Sequence, residues 1–213
     1  MNIIAHRGYW KKNKEQNKKE SIFRAIENGW GVETDIREYR GDIVISHDPI
    51  KKEKIVKLKE ILIELEQVGL LKRSLFAFNV KCDGLEPFLL KLMKEYPFPK
   101  KFFFFDMSIP SLVNYIKIFE KNNLATRMSD IEKTAILLNK CSWLWIDSIY
   151  KNFSEFSNIE HRKNICFVSP ELHHRKPKQF WIRIKKYVKK IKNQERVYIC
   201  TDYPNQAEEY FKK

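Results

Sequence analysis

Short runs of apolar, β-branched and aromatic residues recur along the chain, separated by longer stretches in which apolar residues fall three and four apart. The runs predict strands at Ile3 to His6, Gly31 to Ile36, Ile43 to Ser46, Leu75 to Val80, Phe102 to Phe105, Leu124 to Thr126, Trp143 to Ile146, Ile165 to Val168 and Val197 to Cys200. Between them, Ser21 to Asn28 sets Ile22, Ala25 and Ile26 on one helical face. Ile55, Leu58, Ile61, Leu62 and Leu65 trace a second helix, and Leu112, Tyr115, Ile116 and Phe119 a third. Shorter or weaker helical patterns follow at Ile131 to Leu138, around Phe153 to Phe156, at Pro177 to Ile191 and at Pro204 to Phe211.

Strands alternating with amphipathic helices imply a parallel sheet joined by crossover connections. Taking Ile43 to Ser46 as an accessory to the second strand leaves eight strand–helix steps, the pattern of a compact α/β chain closed into a (β/α)8 barrel. An open doubly wound sheet is the alternative, but no glycine-rich phosphate loop follows any strand and the chain has only six glycines.

With 213 residues, 43% of them hydrophobic, the chain can bury one substantial core, and we expect a single domain over residues 1–213. No uninterrupted apolar stretch is long enough to span a bilayer, and the first residues enter a strand directly, so neither a signal peptide nor a membrane span is expected. Cys82, Cys141, Cys166 and Cys200 are scattered with no close pair, which suits a reducing, cytoplasmic setting. The net charge of +14 attracts anions, whether phosphate esters, nucleic acid or anionic lipid. Nucleic-acid binding has no recognition motif behind it and is not expected.

The polar residues that break the pattern recur at the carboxyl ends of the strands, where barrels hold their chemistry. They are His6 and Arg7 after the first strand, Glu33 and Asp35 on the second, and Asn79 and Lys81 on the third. Asp106, Arg127, Asp147, Glu171 with His173, and Asp202 follow the next five. Glu33 and Asp35, two apart on a strand, point to one face. Two converging acids need a cation, either a divalent ion bound through oxygen or a basic side chain such as Arg7, Arg37 or Lys81. His6 and His47, each at a strand end, can give and take protons near neutral pH. Arg7 and Lys81 suit the non-bridging oxygens of a phosphate, the first as a fork and the second as a point charge.

At these residues the sequence resembles the glycerophosphodiester phosphodiesterase family, a TIM-barrel group related to the phosphatidylinositol-specific phospholipases C. The matching text is IAHRG at 4–8, ESIFRAIENGWGVETDI at 20–36, DIVISHD at 42–48, FNVK at 78–81 and TDYP at 201–204, in matching order and spacing. The resemblance is specific over residues 1–84 and faint beyond, except at the last strand.

It implies hydrolysis of a small-molecule glycerophosphodiester to a phosphomonoester and an alcohol. His6 and His47 would be the acid and base, Arg7 and Lys81 the phosphate ligands, and Glu33 and Asp35 the ligands of one divalent cation, Mg2+ or Ca2+. The family's third carboxylate is replaced by Asn79, whose amide oxygen can still coordinate a hard cation but brings no charge. The usual Pro-Glu-Asn-Thr stretch is reduced to Glu20-Ser21, and the segment between His47 and Asn79 leaves room for little more than a helix, so the family's substrate-shaping insertion is expected to be much reduced. Arg127 and Glu171 are expected to contact the headgroup. Because Asn79 weakens the metal site, a second reading stays open: a barrel without fast turnover that binds phosphorylated glycans or lipid headgroups in a surface-polymer pathway.

Overall fold

In the computed structural model, which describes residues 1–51, 55–156, 159 and 162–212, each apolar run forms a strand. The first part of the chain runs β1 (Asn2–Ala5), α1 (Lys19–Glu27), β2 (Gly31–Tyr39), β3 (Asp42–Ile45), β4 (Val56–Lys57), α2 (Leu58–Gln67), β5 (Leu75–Val80) and α3 (Glu86–Glu95). The rest runs β6 (Lys101–Phe105), α4 (Ile109–Ile118), β7 (Ala125–Met128), β8 (Trp143–Ile146), β9 (Asn164–Val168), α5 (Lys178–Val188), β10 (Val197–Thr201) and α6 (Pro204–Lys212).

Eight of these strands pair in parallel around a closed ring. From β1 the order is β2, β5, β6, β7, β8, β9, β10 and back to β1, the β6–β7 seam being closed by a parallel bridge between Phe104 and Leu124. This is the TIM barrel expected from the pattern. β3 and β4 lie outside the ring as an antiparallel extension of β2, with Ile36 opposite Ile45. That hairpin returns the chain to the barrel mouth at His47.

Alternation along β6 separates the inner core from the outer one. Phe103 and Phe105 turn into the barrel, where they stack on Trp143 at 4.1 Å and Trp145 at 3.9 Å. Phe102 and Phe104 turn outward and pack with Phe78, Leu112, Tyr115 and Phe119 beneath the helices. The interior is thus filled with aromatic rings offset by small residues such as Ala77, and the largest described opening lies at its carboxyl end.

Two helical expectations need correction, and one helix was not expected. The stretch from Ile131 to Leu138 is irregular, with only a short 3-10 turn at Leu138–Lys140. Ile131 and Ile136 are exposed, so the residues never form a stripe that a helix could bury, and Thr126 donates to the Ile136 carbonyl. Residues 153–155 are not helical either, and Phe153 is buried without a helix to carry it. Conversely, α3 forms where the spacing singled out no helix, starting from a Gly84 turn and tolerating Pro87 in its first turn. None of the described helices is long and apolar enough to cross a membrane.

Candidate active site

The strands' carboxyl ends surround a cavity of about 960 Å3. The turn after β1 builds one wall. Gly8 has φ +82°, and a Cβ there would lie 2.6 Å from the Ser21 carbonyl carbon, so only glycine lets this loop lie against α1. The reversal directs the Arg7 backbone N–H to Glu33 Oε2 at 3.0 Å and brings Arg7 Nε to 3.0 Å from Asp35 Oδ2. Trp10 Nε1 donates to the His6 carbonyl at 3.0 Å.

The His6 ring is held from β10. Its Nδ1 lies 2.7 Å from Asp202 Oδ1, which selects the tautomer with the proton on Nδ1 and leaves Nε2 free, 3.8 Å from Glu33 Oε2. Burial by itself would lower the His6 pKa. The hydrogen bond to Asp202, with the charges of Glu33 and Asp202, outweighs it, and the net shift is upward from 6.5.

Glu33 and Asp35 are each 1% exposed. Asp35 is clamped by Asn17, whose side-chain N–H donates to Oδ2 at 2.7 Å while its Oδ1 accepts from Thr34 at 2.9 Å. Lys81 Nζ stands 3.5 Å from Asp35 Oδ1 and 3.5 Å from Asp106 Oδ2. Burial, with Asp35 as a neighbouring negative charge, pushes the Glu33 carboxyl up to about 7.

No cluster of three or more His, Cys, Asp or Glu side chains suited to a metal occurs among the described residues. At this site Glu33 Oε1 and Asn79 Oδ1 are nevertheless buried without a hydrogen-bond partner among the described residues, and Asp35 Oδ1 has only the Lys81 ammonium 3.5 Å away. Asp35 and Asn79 are directly paired in the β2–β5 register, and Glu33 sits two residues back on the same face. Unsatisfied buried oxygens are costly, and an all-oxygen set with two carboxylates fits a hard divalent cation. Arg7 and Lys81 at the same time neutralise Asp35, which is the basic-side-chain alternative raised by the sequence.

His6, Arg7, Glu33, His47, Asn79, Lys81 and Glu171 all line the cavity, with Asp35 just beneath. His47 is more open than its partner imidazole, 47% exposed against 15%; its Nδ1 is 2.9 Å from Asp48 and its carbonyl is held by Arg37. Arg127 departs from expectation. It does not line the cavity but pairs with Asp106 and with Glu132 five residues on, which draws the guanidinium to the side of the barrel. Glu171 reaches the cavity, yet its oxygens accept from the Ser169 and Thr201 hydroxyls and from the Asp202 backbone N–H at 3.2 Å, which makes it a brace under Asp202. Asn17 and Trp10 escaped the sequence reading.

No family model matches the sequence, and no curated protein is similar enough to it to match. Solved structures are similar in fold. A glycerophosphodiester phosphodiesterase from Parabacteroides distasonis superposes with a TM-score of 0.72 at 17% identity, covering 99% of this chain and 96% of that one. A candidate glycerophosphodiester phosphodiesterase from Galdieria sulphuraria gives 0.73 at 13% identity over 100% of this chain and 98% of its own. The enzyme from Agrobacterium tumefaciens gives 0.65 at 15% over the whole of both chains. At such identities the likeness carries the barrel and its proportions.

Proposed function

We propose that this barrel is a phosphodiester hydrolase acting on glycerophosphodiester-like small molecules and releasing an alcohol and a phosphomonoester. The observation that carries the reading is the convergence of His6, oriented by Asp202, with His47, Arg7, Lys81 and the buried oxygens of Glu33 and Asn79 on one cavity, with Asp35 just beneath. The fold likeness to three proteins described as having this activity supports it.

Arg7 and Lys81 orient the phosphate. His6, whose Nε2 is free, accepts the proton of the attacking oxygen as the new P–O bond forms. His47, at the open rim, donates a proton to the departing alkoxide as the old P–O bond breaks. Glu33, Asp35 and Asn79 would hold one divalent cation, Mg2+ or Ca2+, which supplies positive charge at a non-bridging oxygen. We read residues 1–213 as one domain working in a reducing cytoplasmic setting, which four unpaired thiols suit.

Purified protein with Mg2+ or Ca2+ should hydrolyse glycerophosphodiesters, and His6→Ala or His47→Ala should each lower kcat by about a hundredfold or more. Unchanged rates in both variants would sink the assignment. The second reading, binding without turnover, is favoured by Arg7 and Lys81 already neutralising Asp35. Tight phosphate-ester binding in EDTA, with no hydrolysis when metal is added, would decide for it.

A further inference from the structure

The wall facing the proposed phosphate site holds a third imidazole–carboxylate pair, one that the reaction above does not use. Asp147 follows β8 and His173 lies in the turn after β9, and the two meet with His173 Nε2 2.7 Å from Asp147 Oδ1. In the ring of eight strands β8 stands opposite β2, and β9 opposite β5, so this pair faces Glu33 and Lys81 across the mouth. Both residues line the cavity. The contact fixes the His173 tautomer, leaving Nδ1 without a hydrogen-bond partner among the described residues. Asp147 Oδ1 also takes the Ser148 N–H at 2.6 Å, and its Oδ2 has no partner among the described residues.

From this arrangement we propose that His173 and Asp147 form a subsite for the alcohol half of the substrate, and that this alcohol is polyhydroxylated, a polyol or cyclitol. The inference rests on the hydrolase reading and deepens it. Adjacent hydroxyls present two O–H donors side by side, which matches two neighbouring acceptors, the bare ring nitrogen and the carboxylate oxygen. A quaternary ammonium would need an aromatic face, which this wall lacks: the Phe105 and Trp145 rings below it are stacked on each other and at most 5% exposed, and the other lining rings, Trp10 and Tyr203, follow β1 and β10 on another side of the cavity. An acyl chain would need a continuous apolar wall, which this polar lining does not provide. The cavity is at the upper end of the range for small-molecule sites, so a ring-sized alcohol has room. The Glu171 brace couples the two walls, since the residue lies two positions before His173 and accepts from the Asp202 backbone.

The test compares kcat and KM for glycerophosphoinositol and glycerophosphoglycerol with those for glycerophosphocholine and lysophosphatidylcholine, in wild type, His173→Gln and Asp147→Asn. Wild type should prefer the polyol diesters, and each variant should lower the polyol-to-choline ratio of kcat/KM about tenfold, mostly through KM, as expected for one lost hydrogen bond to a substrate hydroxyl. A wild type with no preference, a choline preference pointing to Trp10 and Tyr203 instead, or variants that weaken all substrates equally would overturn the subsite while leaving hydrolysis standing. If no diester is cleaved, the hydrolase reading falls, and calorimetry decides the subsite separately. Tighter binding of inositol phosphate than of phosphocholine, lost in His173→Gln, supports it, and equal binding overturns it.

Discussion

Metal-free protein should become less stable as pH rises from 5 to 8. Burial and Asp35 raise the Glu33 carboxyl from 4.5 to about 7, so the folded state keeps a proton that the unfolded chain releases. A raised acid favours the fold while it is protonated, and that contribution is lost as pH climbs from the unfolded value through the folded one. At about 1.4 kcal/mol per pH unit, Glu33 alone accounts for up to about 3 kcal/mol. His6 and Glu171 are also raised and act in the same direction. The lowered carboxylates, Glu15, Asp42, Asp48 and Asp130, lose their contribution only as pH falls below their ordinary range near 4, outside this window. Urea unfolding in EDTA at pH 5, 6, 7 and 8 measures the slope. Glu33→Gln, a neutral stand-in for the protonated acid, should flatten it and be the more stable protein at pH 8. Millimolar Mg2+ or Ca2+ should restore wild-type stability near pH 8 and do little for the variant. A flat or rising wild-type profile in EDTA would refute the reasoning.

Gly8→Ala should cost about 2 kcal/mol or more, from the positive φ and the collision with Ser21, and should lower kcat by displacing His6 and Arg7; urea unfolding and steady-state rates check both. Asp202→Asn replaces the charged acceptor that raises the His6 pKa with a neutral one, so kcat should fall and the acidic limb of the pH–rate profile should move to lower pH. Asn79→Glu adds a third carboxylate to the oxygen set and should tighten Mg2+ binding about tenfold by calorimetry.

Strand positions were legible because an apolar run buried on both faces leaves a plain mark: Leu75–Val80 and Trp143–Ile146 agree with expectation to the residue. Helices were less so. The expected helix at Ile131 to Leu138 had apolar residues, but Leu137 packs on one core cluster, Ala135 and Leu138 on another, and Ile131 and Ile136 stay exposed; Asp130, which could have opened a helix, instead caps the backbone of Ile149, Tyr150 and Lys151. In the site, the i, i+2 rule brought Glu33 and Asp35 together, and strand-end position identified His6, Asn79 and Lys81. Arg127 misled because strand position says nothing of a competing acid, and Glu132 lies within reach in the following loop. Asn17 was invisible because its role depends on a φ of +56° in a loop folded under Asp35. The pairing of His173 with Asp147 spans 26 residues and exists only once β8 and β9 are side by side.

Phosphorus NMR of purified protein mixed with a glycerophosphodiester, recorded with Mg2+ or Ca2+ and again with EDTA, tests the site most directly. The expected result is a phosphomonoester signal that grows with metal, is abolished by EDTA and is absent for His6→Ala. Undiminished turnover in EDTA would contradict the metal site, and equal turnover by His6→Ala would contradict the chemistry assigned to the barrel mouth.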